Sequence, residues 1–195
     1  MRVTIGAGVW KGRVLINPKG PVIRPTRAEV RAALFNIFGP RVRGAAVLDL
    51  FAGSGALGLE AISRGAARAV LVDSSAFCAD AMRASVAALG ATTPATVVRQ
   101  DALAAIRHLA AAGQSFDLIV ADPPYGDARG TKTLQAITDH VILAPAGVVM
   151  LENTRRTASP QVVDGGSGRR LRQVRTAQYG ETTLTIYQWM TEDPS

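Results

Sequence analysis

Asp122-Pro-Pro-Tyr125 places a carboxylate, a locked backbone and an aromatic face in direct succession. Two consecutive prolines fix the backbone, so the Asp122 carboxylate and the Pro123 carbonyl can be held in one arrangement. An exocyclic amine on a nucleobase has two hydrogens to donate, and its lone pair is delocalised into the ring. Accepting both N–H groups helps return that density to nitrogen as it attacks a methyl group. Pro124 keeps the turn rigid, and Tyr125 offers a face on which an everted base stacks, worth roughly 1–3 kcal/mol. Eversion costs least for an unpaired base. Asp122, Pro123, Pro124 and Tyr125 are therefore the candidate catalytic residues.

Such an attack needs an activated methyl donor, and a sulfonium requires neither a metal nor a covalent intermediate. No His/Cys/Asp cluster with ligand spacing is present, so no metal is expected. In-line alignment of amine and methyl can supply on the order of 7–11 kcal/mol of effective concentration. The donor's place is the glycine-rich turn in Val47-Leu-Asp-Leu-Phe-Ala-Gly-Ser-Gly-Ala-Leu-Gly58. Gly53 and Gly55 allow a tight turn and close approach to a ligand, and Gly58 allows the following helix to sit close on the sheet. The Gly53-x-Gly55-x-x-Gly58 spacing alone also fits a dinucleotide site. Asp49 separates the two, because a carboxylate at the end of a buried strand needs a cation or donor. The methionine ammonium of S-adenosylmethionine supplies one, whereas a dinucleotide brings phosphates that the carboxylate would repel. Asp73 ends the second strand, where a carboxylate accepts ribose hydroxyls in either cofactor class. Asp101 follows the third strand, either as an adenine contact or as a helix N-cap.

Around these residues, short β-branched runs near 47–51, 69–73, 96–99, 117–121 and 147–152 alternate with Ala-rich helical segments near 56–63, 75–89, 102–112 and 131–143. That alternation predicts an α/β protein with a parallel sheet. Residues 169–178 and 182–190 read as an antiparallel hairpin closing it, with 159–168 as a mobile loop. Upstream, 2–16 alternate around two glycines as a β-hairpin, an appendage leading through a Pro/Gly-rich loop to Pro25. A capping box at Thr26-Arg-Ala-Glu29 opens a helix of about twelve residues that stops at Gly39-Pro40. The domain division is thus 1–25 as a basic arm and 26–195 as the catalytic domain. His108 and His140 fall in helices as surface or packing residues, the single cysteine Cys78 as packing, and Trp189 as packing in the last strand.

The 195 residues carry a net charge of +7, distributed unevenly. Residues 1–43 hold nine basic side chains against Glu29 alone, and Arg155, Arg156, Arg169, Arg170, Arg172 and Arg175 oppose only Asp164. Nineteen of the 22 basic residues are arginine, whose planar fork matches phosphate. Nucleic acid is the expected partner. No apolar run is long enough for a bilayer, and no signal-peptide block opens the chain, so the expectation is a cytoplasmic protein without a membrane partner. No dimerisation feature is visible, and a monomer is expected.

The sequence closely resembles the RsmD-like family of small-subunit ribosomal RNA guanine-N2 methyltransferases. The glycine loop and tetrad are shared by many methyltransferases. The N-terminal arm carries the family resemblance, through Arg24-Pro25-Thr26 with Arg31 and Phe35 in the next helix. The resemblance implies a class I, Rossmann-like S-adenosylmethionine-dependent methyltransferase, with a seven-stranded, mostly parallel sheet ending in an antiparallel hairpin. It implies Asp49, Gly53, Gly55, Asp73 and Asp101 as cofactor contacts; Phe51, Ala52, Ser54, Ser74, Ala102 and Asp122 complete the expected set. Arg2, Lys11, Arg13, Arg24, Thr26, Arg27 and Arg31 are the expected RNA contacts, the RNA being 16S rRNA within the small subunit. A DNA adenine or cytosine N-methyltransferase would use the same tetrad, but only about 43 residues outside the core are available to read a major groove. A nicotinamide-dependent oxidoreductase has no use for the tetrad, and a non-catalytic RNA-binding module would not need it intact.

Overall fold

The computed structural model describes residues 2–18, 28–124 and 128–190. The chain divides into two compact units, Met1–Ala105 and Ile106–Ser195.

In the first unit, β1 (Ala46–Leu50), β2 (Arg68–Asp73) and β3 (Ala95–Arg99) run parallel in the order β3-β2-β1. Val47 to Leu50 are all buried, as in a strand covered on both faces. The helices are α1 (Ala28–Phe38), α2 (Ala56–Ser63) and α3 (Ala76–Leu89); the division between units falls inside α4 (Ala102–Ala111). The Ser75 hydroxyl caps α3 by accepting from the Cys78 amide at 3.4 Å, and Gly90, at φ 68°, ends it in the left-handed region. α1 stops at Gly39-Pro40 as expected, while Thr26 of the capping box lies outside the described residues.

The N-terminal hairpin is reduced to one bridge, Thr4 with Val14, flanked by amide bonds from Ile5 to the Arg13 carbonyl and from Leu15 to the Val3 carbonyl. It is not an appendage. Val3, Ile5 and Leu15 are buried, and the backbone is hydrogen-bonded to two helices. The Gly6 amide donates to Glu60 Oε2 at 3.0 Å, the Trp10 amide to Ser63 Oγ at 2.9 Å, and the Ile16 amide to Ser85 Oγ at 2.9 Å. An isolated hairpin is marginal in water, and this one is held by its buried apolar side chains together with hydrogen bonds to α2 and α3.

The second unit contains β4 (Phe116–Ala121), α5 (Arg129–His140), β5 (Leu143–Thr154), β6 (Val162–Asp164), β7 (Arg170–Tyr179) and β8 (Thr182–Trp189). Its strand order is β4-β5-β8-β7-β6, with β5 parallel to β4 and the remaining pairings antiparallel. The closing hairpin turns at Gly180, φ 62°. The described residues hold eight strands, one more than expected. The addition, β6, lies in the stretch expected to be a mobile loop. That stretch is fastened to α5: Ser167 Oγ donates to the Thr138 carbonyl at 2.8 Å and the Gly166 amide to Asp139 Oδ1 at 2.7 Å.

Candidate active site

In the first unit, β1 ends at Leu50 and the chain turns through Phe51-Ala-Gly-Ser-Gly55 into α2. Phe51 (φ 63°), Gly53 (φ 56°) and Gly55 (φ 74°) all sit in the left-handed region, which for Phe51 is a strained state of the kind found at ligand sites. Gly58 meets its expected packing role: a Cβ there would lie 2.0 Å from Leu71 Cδ2, so α2 rests directly on β2. Asp49, 2% exposed, accepts from the Gly58 amide at 2.9 Å through Oδ2. A buried carboxylate is thereby tied to the first turn of α2, where helix amides favour negative charge.

Asp73 is half-buried at the carboxyl end of β2, next to β1. Its Oδ2 accepts from the Gly53 amide at 2.9 Å and its Oδ1 from the Ser75 amide at 2.8 Å. Ser74 beside it is exposed. Asp101, also exposed, follows β3 and caps α4 by accepting from the Leu103 and Ala104 amides at 3.0 and 3.2 Å. Ala102, the first residue of α4, is buried. Parallel pairing of β1, β2 and β3 thus gathers Asp49, the 51–55 loop, Asp73 and Asp101 at the carboxyl edge of three adjacent strands. The buried Cys78 thiol is pushed above its ordinary range by burial, which keeps it protonated and consistent with packing.

In the second unit, β4 ends at Ala121 in register with Leu151 of β5, and Asp122 follows, partly exposed. Pro123 is buried and Pro124 exposed; Tyr125 lies outside the described residues.

The expected RNA contacts separate. Arg2, Lys11 and Arg13 are exposed, with an Arg13 guanidinium nitrogen donating to the Ala88 carbonyl at 3.0 Å. Arg24, Thr26 and Arg27 lie outside the described residues. Arg31 is 4% exposed and engaged internally, donating to the Thr4 carbonyl at 2.7 Å and lying 3.5 Å from Glu60 Oε2. It is a structural residue because it occupies the apolar face of α1 beside Val30, Leu34 and Phe35. Glu60, which sequence reasoning passed over, also receives Arg64 at 2.6 Å, and the Arg64 guanidinium lies 4.4 Å from the Phe35 ring centre. The available signal was a lone Glu within the apolar run Leu57-Gly-Leu-Glu-Ala-Ile62.

The chain matches the family described as "Conserved hypothetical protein 95" over residues 1–188. It is 35% identical over 187 residues to the putative rRNA methyltransferase YlbH of Bacillus subtilis, covering 96% of this chain and 98% of that protein. It is 35% identical over 161 residues to the ribosomal RNA small subunit methyltransferase D of Escherichia coli K12, covering 83% and 79%. Among solved structures, the putative methyltransferase yhhF of E. coli superposes with a TM-score of 0.79 at 29% identity, covering 98% of this chain and all of that one. A hypothetical protein of Thermus thermophilus superposes at 0.80 with 27% identity, covering 95% and 99%. The strand-end carboxylates, the left-handed glycine loop and these matches across the chain lead to one assignment: it belongs to the RsmD-like family of methyltransferases.

Proposed function

We propose that this chain methylates the exocyclic N2 amine of a guanine in 16S rRNA, acting as a cytoplasmic monomer on the small ribosomal subunit. That it is an S-adenosylmethionine-dependent methyltransferase of ribosomal RNA follows from its family. The observation that carries transfer to an amine is the Asp122-Pro123 step at the carboxyl end of β4, a position suited to accept both hydrogens, and the small-subunit relatives support guanine in 16S rRNA as the target. Among the described residues no helix is long and apolar enough to cross a membrane.

The residues present fit the cofactor. Phe51, Ala52 and Gly53 of the loop are partly exposed, and Asp73 keeps lone pairs for ribose hydroxyls while accepting two amides. When bound, S-adenosylmethionine supplies a methyl group already activated on sulfur. Asp49 and the loop orient the methionine end, Asp73 the ribose, and Asp101 with Ala102 the adenine. Asp122 and the Pro123 carbonyl hold the amine hydrogens, with Pro124 stiffening the turn and Tyr125 stacking on the base.

The test is to incubate the protein with methyl-labelled cofactor and small subunits lacking their native methylations, then digest the RNA and identify the labelled nucleoside. Label in N2-methylguanosine is expected. Label in another nucleoside, or in duplex DNA instead of RNA, would overturn the reading.

A further inference from the structure

The strands of the second unit separate two faces. A Cβ built on Gly130 of α5 would come within 3.3 to 3.4 Å of the Leu151 and Asn153 side chains, so those residues of β5 face α5. Met150 and Glu152, alternate positions, face the other way. Register carries this second face across the neighbouring strands. Met150 pairs with Ile186 and Glu152 with Leu184 on β8; Ile186 in turn pairs with Arg175, and Gln188 with Arg172, on β7. On the other flank Met150 pairs with Val120 of β4, so Asp122, two residues on, leaves that strand on the same side.

Arg175 reaches this face only because β7 is bulged. Simple alternation would place it with Leu171 and Gln173, on the side toward α5. The register instead steps from Gln173 opposite Tyr187 to Arg175 opposite Ile186, with Val174 as the extra residue. Gln173 Nε2 donates to Thr176 Oγ1 at 2.9 Å across the bulge and fastens it. Both Arg172 and Arg175 are exposed, and among the described residues neither has a carboxylate partner, whereas neighbouring Arg170 pairs with Asp164. Three strand spacings of about 4.8 Å separate β7 from β4, roughly 14 Å in all. That is within reach of the nucleotides flanking a base held at Asp122.

We propose that the face of β7 opposite α5, through Arg172 and Arg175, binds phosphates of the RNA segment flanking the target base. The inference rests on the proposed function for the place of the target base. Guanidinium groups suit the task, since each can present two donors to one phosphate, and the pleat and locked bulge hold their stems in place.

The experiment compares the intact chain with R172Q/R175Q and R172K/R175K, measuring affinity for naked 16S rRNA across a salt series. Two lost phosphate contacts should flatten the log–log salt slope by about 1.4, at about 0.7 per contact for single strands. The lysine pair should restore the slope. Cofactor affinity and melting temperature should be equal in all three. An unchanged slope in R172Q/R175Q overturns the proposal; if that variant also self-associates in sedimentation, the arginines guard the sheet edge at β6 instead. Because binding is read without methyl transfer, an intact chain that methylates nothing but shows the slope difference supports this surface and overturns only the proposed activity.

Discussion

Asp73 holds the amide of Gly53, twenty residues earlier in the chain, at 2.9 Å. The carboxylate proposed to take the ribose therefore also sets the shape of the loop beside it. Asp73→Ala should weaken S-adenosylmethionine binding about ten- to hundredfold, the scale of losing charge-assisted hydrogen bonds of about 1.5–3 kcal/mol. Calorimetry showing unchanged affinity would remove Asp73 from both roles.

Asp122 belongs to the other unit and follows a strand instead of supporting the glycine loop. Asp122→Ala should lower methyl transfer by on the order of 10²–10³, as when one preorganised hydrogen-bonding group is removed, with cofactor affinity largely intact because Asp122 mainly engages the amine. Parallel loss of both in a titration and a single-turnover assay would contradict this division of labour.

Gly58 and Leu71 make a paired test of the α2–β2 contact. Gly58→Ala forces a methyl into the space of Leu71 Cδ2 and should destabilise by about 1–3 kcal/mol. Leu71→Ala alone should cost about 2–5 kcal/mol by leaving a cavity. The double variant should be more stable than the sum of the two, since the new methyl enters the cavity. Strict additivity in urea unfolding would show that the contact is not limiting.

Glu60, 1% exposed, takes the Gly6 amide on one oxygen and Arg64 on the other, with Arg31 alongside. Glu60→Ala leaves the Arg31 guanidinium buried without its carboxylate and should cost about 3–5 kcal/mol. Hydrogen exchange should also accelerate at Gly6. A stability loss with unchanged exchange there would mean the N-terminal segment is held by its apolar side chains alone.

Tyr187 is fully buried, donates to the Pro160 carbonyl at 2.9 Å, and has its pKa pushed up to about 12 by burial. The folded chain keeps this proton at pH values where the unfolded chain, with its ordinary pKa near 10, releases it. The contribution is complete below about pH 10 and is lost between about pH 10 and 12. Tyr187→Phe should be less stable at neutral pH by about 1 kcal/mol and show a shallower alkaline decline. Identical slopes in denaturation from pH 9 to 12 would exclude the linkage.

The parallel strands were legible because burial on both faces writes them as unbroken apolar runs, and the glycine loop because its turn demands glycine. Asp101 was legible only as two alternatives; its capping bonds show one and leave room for the other. Arg31 was counted with the surface charges because a charge tally ignores helical phase, although Val30 and Leu34 mark its face as apolar. The docking of residues 2–16 left no local pattern, since its anchors are single oxygens on Glu60, Ser63 and Ser85 far along the chain. At three residues, β6 is too short to show a period.

Those anchors also set an order of events during synthesis. Residues 13 and 16 find their partners at Ala88 and Ser85, 75 and 69 residues later. At about 5–20 residues per second, the Arg13 side chain and the Ile16 amide wait several seconds for these partners to be made. Fastening of the N-terminal segment to α3 must wait for the end of that helix, so the nascent chain carries the segment without those bonds through most of the first unit's translation.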